Sequence, residues 1–404
     1  MTDLVAPQTP AAEAETAAKA DTAAAVVIIG SGLAGYTLAR EFRKLDKQTP
    51  LTILSRDHGG FYSKPMLSNA LASNKTAATL VMKPAEKMAA ELNASVRGQV
   101  QVERIDTAEK RITLVGGEVV SYRDVVLALG ADTLHIAMAG SGADAVLSVN
   151  DLDDYARFAQ QLEGAKSVVI LGAGLIGCEF ANDMLHRGIR STVVDLADRP
   201  LSRLLPAPAS AFLREKLEAA GVQFRFNLAV HQVVKTPDGF DVELTDNSHL
   251  QADLVLSAIG LRPRTAIAEA AGLAVNRGVV VNRLLATSSA HVHALGDCAE
   301  VAGHVLPYVM PLMQQARALA ATLAGTSTAV VYPAMPVMVK TPACPTVVCA
   351  AAPHAVGTWR INTSTDGCDA RFEDAQGGLL GFALLGSATV QKQLLTAQVA
   401  GWLS

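Results

Sequence analysis

Short runs of apolar, mostly β-branched residues at 26–29, 51–54, 124–129, 168–171, 191–195 and 253–259 alternate with longer stretches of mixed apolar and polar character. Four apolar residues in a row, without a polar break, mark a strand covered on both faces, as in a parallel sheet. The mixed stretches at 151–163 and 207–220 predict helices, so strands and helices take turns as in wound βαβ units. Beyond about residue 330 the pattern changes. There "VVYPAMPVMVKTPACPTVVCAAAP" interleaves proline with short strands, and "DAQGGLLGFALLG" signals a hairpin turned on glycine. A small α+β domain closed by a helix over 388–402 is expected.

One pattern occurs twice. Residues 26–41 read "VVIIGSGLAGYTLARE" and residues 168–183 read "VVILGAGLIGCEFAND", each an apolar strand, a glycine turn and a helix start. In Gly30-Ser31-Gly32-Leu33-Ala34-Gly35 the first glycine permits the tight turn, the second lets phosphate approach the backbone, and the third lets helix and strand pack closely. Gly172, Gly174 and Gly177 repeat that spacing around Leu175 and Ile176. The helix that follows each turn directs its free N–H groups and positive dipole end at a pyrophosphate. Two dinucleotides are therefore expected.

A carboxylate at the end of the next strand holds a ribose hydroxyl in such folds. In the second copy this is Asp195, closing "STVVD" with no arginine immediately beside it, which favours NADH over NADPH. In the first copy the candidate is Asp57, at a longer spacing, with Ser55 and Arg56 as alternative contacts to the ribose. A hydride donor opposite a flavin gives one chain a complete redox path, so FAD is assigned to the first turn. Asp297, in "HVHALGDCAEV", follows a strand and a glycine, where a carboxylate either accepts from a ribityl hydroxyl or caps a helix.

Composition narrows the class. Half of the 404 residues are hydrophobic and the net charge is -4, so two or three packed domains are expected and there is no clustered Lys and Arg to attract nucleic acid or an anionic membrane. No apolar run reaches the roughly 20 residues of a bilayer span. The first 24 residues, rich in Ala, Thr and Glu, read as a disordered extension and not a secretion signal. Five scattered cysteines without C-x-x-C spacing argue for free thiols in a reducing cytoplasm, and for no metal site.

With these residues in view, the chain resembles the FAD-dependent pyridine nucleotide-disulfide oxidoreductase superfamily over nearly all of 25–404. The resemblance rests on both glycine turns, "DVVLALGAD" with Gly130, Glu179 in "GCEF", "SAIGLRPRT" with Gly260, and "ALGDCAE", in that order. It implies an α/β fold with two Rossmann-like domains, the NADH domain (146–262) inserted into the FAD domain (25–145 and 263–329), followed by the C-terminal domain (330–404). Within the superfamily, "FYSKPMLSNAL" at 61–71 and "PVMVKTPACP" at 336–345 are similar to the rubredoxin-NAD reductases. That similarity implies Lys64 and Lys340 near the flavin ring, Val102 meeting the adenine by its backbone, and Val309 beside the pyrimidine end. Glu179 either orients the nicotinamide carboxamide, pairs with Lys64 or Lys340, or serves as a carboxylate at a helix start.

One departure matters for mechanism. Disulfide reductases of the superfamily carry a cysteine pair on the helix after the first dinucleotide strand, and this chain has no cysteine before Cys178. Cys344 and Cys349, near Pro342 and Pro345, read as buried thiols on an extended segment. Electrons are therefore expected to leave the flavin directly, and the resemblance implies that they go to the iron of a small acidic carrier, rubredoxin, or in a second reading to a ferredoxin or flavorubredoxin. Since both proteins are acidic, local cations must steer the encounter. Lys83, Lys87 and Arg97 are the candidates. A C-terminal domain of modest size points to a monomer.

Overall fold

The computed structural model describes residues 25–403, so the N-terminal stretch 1–24 lies outside the described residues. Strand Val26–Ile29 is at most 7% exposed along its length, because parallel neighbours flank it and its side chains share one core with helices Leu33–Leu45 and Val309–Leu323 and with the antiparallel strands at 102–121. Its sheet runs in the order 292–294, 124–127, 26–29, 51–54, 95–97, with every pairing parallel. Helix Leu33–Leu45 packs on helix Val309–Leu323 over this sheet. The second sheet repeats the plan in the order 223–226, 190–195, 167–171, 254–257. Each parallel sheet is accompanied by a three-stranded antiparallel sheet, 102–121 in the first half and 230–252 in the second.

All four strands of the second sheet fall in sequence between strands 124–127 and 292–294 of the first. The chain crosses between the two sheets twice. The crossings pair with each other as a short antiparallel ribbon, Ala131–Thr133 against Leu261–Pro263. Gly130 (φ +71°) and Gly260 (φ +126°) sit at its roots in backbone conformations that favour glycine.

The segment after Lys64 makes an exchange that a linear reading conceals. Leu67, Ala70, Leu71 and Leu80 are buried with Tyr155, Phe158 and Phe180, in the core of the second half, together with Val339 and Cys344 from the C-terminal domain. That domain is a five-stranded antiparallel sheet in the order 337–339, 346–349, 379–386, 367–373, 358–363. The Gly-turned hairpin is present as strands Gly367–Glu373 and Leu379–Gly386. The helix expected over 388–402 is shorter, a 3-10 turn Ser387–Gln391 running into helix Lys392–Thr396. The chain straightens because the Trp402 amide bonds the Tyr332 carbonyl (2.8 Å) and the Trp402 indole N–H bonds the Ala350 carbonyl (3.0 Å), which a continuing helix cannot reach.

Candidate functional site

The two glycine turns have the same geometry. A Cβ on Gly30 would lie 2.2 Å from the Ala128 carbonyl oxygen, and one on Gly35 2.0 Å from that of Gly30. On Gly172 the contact is 2.7 Å to Ala258, and on Gly177 1.8 Å to Gly172. These four glycines are required by the protein's own backbone. Gly32 and Gly174 differ, since a Cβ on either meets nothing within 4 Å. Both are N-caps of the following helices, and no side chain caps either helix. The space and the amide donors left there fit a pyrophosphate in each turn.

Ser55 and Asp57 close on the first turn. Ser31 Oγ lies 2.6 Å from Ser55 Oγ and donates to Asp57 Oδ1 (3.1 Å), which also accepts from Ser55 Oγ (2.6 Å) and the Gly59 amide (2.8 Å). One carboxylate oxygen is thus held in place beside the turn, and the long spacing is absorbed by the bend after strand Leu51–Leu54. Arg56 turns outward toward Asp132 at 3.9 Å, with 58% of its side chain exposed. Val102 opens strand Val102–Asp106, two residues beyond Val100, whose amide bonds the Ser55 carbonyl (2.8 Å). In the second turn Asp195 accepts the Ala173 amide and, through Oδ1, the Ala197 amide (2.7 Å).

Lys64 begins the 3-10 helix Lys64–Asn69, and Asp297 lies in the 3-10 turn Gly296–Cys298. The two influence each other electrostatically. Burial lowers the Lys64 ammonium below its ordinary value while Asp297 draws it back, and burial raises the Asp297 carboxyl while Lys64 and Arg264 lower it. Arg264, which the sequence reading passed over, anchors the crossing ribbon by bonds to Asp132 (2.6 Å) and the Leu129 carbonyl (2.8 Å). Val309 is the first residue of helix Val309–Leu323 and is 41% exposed.

Glu179 is not a solvated carboxylate at a helix start. Its side chain has no exposure, and of the partners considered it takes Lys340, not Lys64. Oε1 accepts the Lys340 amide (2.9 Å), while Oε2 accepts the Lys340 ammonium and the Ser68 hydroxyl (2.5 Å). Both oxygens are thus engaged by donors from the Lys64 segment and the C-terminal domain. Asn182 and Asp183 complete the buried polar set on helix Leu175–Leu185, with Ser68 facing it from the 3-10 helix Lys64–Asn69, and the sequence signal for the first two was two more polar residues in the apolar run after the turn.

Two expectations are corrected here. Lys83 and Arg97 are not free steering cations, because Lys83 pairs with Glu91 and Arg97 pairs with Glu118 (2.7 Å). Cys344 sits in a turn instead of an extended segment, with its amide bonded to the Thr341 carbonyl. All five cysteines are buried and unpaired. Burial pushes the Cys298, Cys344 and Cys349 thiols up to about 11 and Cys178 higher still, which makes them poor nucleophiles. Among the described residues no helix is long and apolar enough to cross a membrane.

Residues 24–320 match the family described as pyridine nucleotide-disulphide oxidoreductase, and residues 329–399 match the rubredoxin binding C-terminal domain. The rubredoxin-NAD(+) reductase of Alcanivorax borkumensis is 49% identical over 93% of this chain and 98% of its own. That of Acinetobacter baylyi is 47% identical over 92% and 96%. Among solved structures, the ferredoxin reductase for the CYP199A2 system from Rhodopseudomonas palustris superposes with a TM-score of 0.84 at 25% identity, covering 93% of this chain and 95% of that one.

Proposed function

Because the chain belongs to the pyridine nucleotide-disulphide oxidoreductase family, we infer that it is an FAD-dependent reductase that takes hydride from NADH and passes single electrons to rubredoxin. The pair of glycine cradles carries this reading, each with open space at the helix N-cap and a carboxylate bonded beside it. When bound, FAD supplies the chemistry of accepting a hydride and releasing electrons one at a time.

In this reading FAD occupies the discontinuous domain 25–145 and 263–329. Gly30 to Gly35 hold its pyrophosphate, Asp57 with Ser55 its adenosine ribose, Val102 its adenine, Asp297 its ribityl chain and Val309 its pyrimidine end. NADH occupies 146–262, with its pyrophosphate on Gly172 to Gly177 and its ribose on Asp195. Lys64 and Lys340 lie toward the ring in this reading, Lys340 with its charge balanced by Glu179, so it is Lys64 whose charge favours electrons arriving there. Orientation does most of the work, since no proton has to be moved by a side chain. Buried thiols fit both a path without a sulfur relay and a reducing, cytoplasmic setting.

Docking of rubredoxin falls on the C-terminal domain in this reading. Val390, Leu394 and Met338 are 85%, 63% and 62% exposed there, Lys392 reaches Met338, and Lys392 is the only charged residue after Asp374. Asp369, the carboxylate beside Gln391, is paired with Arg371, so an apolar surface rimmed by Lys392 suits an acidic carrier. One face of that sheet packs into the core with the second half and the other is covered by Leu395 and Val399, so the chain is read as a monomer. The test is loss of NADH absorbance with and without rubredoxin, followed through a haem acceptor. A rate that ignores rubredoxin and responds to a ferredoxin or flavorubredoxin would transfer the assignment to that carrier.

A further inference from the structure

The helix that follows the second glycine turn, Leu175–Leu185, buries three polar side chains, Glu179, Asn182 and Asp183, none more than 2% exposed. Burying carboxylates inside a fold is unfavourable unless each oxygen finds a donor. Every donor here comes from outside the helix's own sheet domain. Asp183 accepts the amides of Leu71 and Ala72, both at 2.9 Å, and Asn182 accepts the amide of Ala343 at 3.0 Å. Glu179, one helical turn before Asp183, takes Ser68 and Lys340.

Residues 68, 71 and 72 belong to the segment that opens with Lys64. Its apolar side chains already sit in the second domain's core, but apolar contact is non-directional and leaves a segment free to slide. Two amide bonds to one carboxylate fix both register and distance. Burial raises the Asp183 carboxyl above its ordinary value and the two amides hold it down, as for a carboxylate whose oxygens are saturated.

We propose that Asp183 is a positioning residue for hydride transfer, pinning the Lys64 segment of the flavin side to the helix that receives NADH and so setting the separation of the two cofactors. The proposal rests on the assignment of FAD and NADH to the two turns. Misplacement by about 1 Å lowers a rate by as much as about a hundredfold.

The test compares Asp183→Ala, which removes both acceptors, with Asp183→Asn, which keeps one, in FAD-loaded protein. Anaerobic rapid mixing with NADH, without any carrier, reports flavin bleaching. About a tenfold slower bleaching is expected for Asp183→Ala and partial recovery for Asp183→Asn, with altered long-wavelength absorbance on NADH binding. Flavin content and calorimetric affinity for ADP-ribose should stay within twofold of wild type. Bleaching at the wild-type rate in both variants overturns the proposal, as does slowing that merely follows lost flavin or weakened ADP-ribose binding. Should Asp183→Ala not fold, an unchanged rate in Asp183→Asn is sufficient to overturn it. If NADH fails to bleach wild-type protein as well, the cofactor assignment itself falls along with this role.

Discussion

Replacing Lys340 by methionine isolates the central ion pair. Glu179 has no exposed side-chain surface, and in Lys340→Met it keeps the residue-340 amide and Ser68 but loses the ammonium. A carboxylate left charged in that place costs about 3–5 kcal/mol. For a cooperative unit of nearly 400 residues, a loss of that size corresponds to a Tm lower by about 4–6 °C. Circular dichroism melts of both proteins at pH 7.5 measure it, with Glu179→Gln/Lys340→Met, which leaves no charge unpaired, as the control that should recover most of the loss. A loss below about 1 kcal/mol in Lys340→Met would refute the view that Glu179 depends on Lys340 for its partner.

The two cradles allow a contrast between neighbouring glycines. Gly177→Ala places a methyl 1.8 Å from the Gly172 carbonyl oxygen and should lower the melting temperature, whereas Gly174→Ala should melt normally and weaken NADH binding at least tenfold by calorimetry; wild-type affinity in Gly174→Ala would contradict the placement of the pyrophosphate. At pH 8 the Cys178, Cys298, Cys344 and Cys349 thiols, held near 11 or above by burial, should react with a disulfide reagent at least a hundredfold more slowly than a free cysteine. Rapid labelling of any of these four in native protein, read by peptide mapping, would argue against that burial. Leu394→Asp, on the exposed face of the C-terminal domain, should raise KM for rubredoxin several-fold and leave ferricyanide reduction by NADH unchanged. Equal loss with both acceptors would move the docking face elsewhere.

Strands 26–29 and 51–54 and the two glycine turns were legible because a strand, a tight turn and a helix start are specified by residues adjacent in sequence. The place of Asp195 at the end of its strand was legible for the same reason. Asp57 was harder, because its claim depends on Ser31 and Ser55 meeting it across a bend. The C-terminal helix was read too long because its periodicity gives no sign that Trp402 is bonded to Tyr332 and Ala350. Lys83 and Arg97 looked like free cations until Glu91 and Glu118 were placed beside them. Three roles were open to Glu179, and it was tertiary packing that selected Lys340 and Ser68 as its partners and seated the Lys64 segment in the other domain's core. Backbone conformation and strand-helix alternation answer to neighbours a few residues away, so the chain itself determined two nucleotide cradles and their order. Which buried charge meets which donor depends on segments more than a hundred residues apart and on excluding water between them, and only the folded molecule decides that.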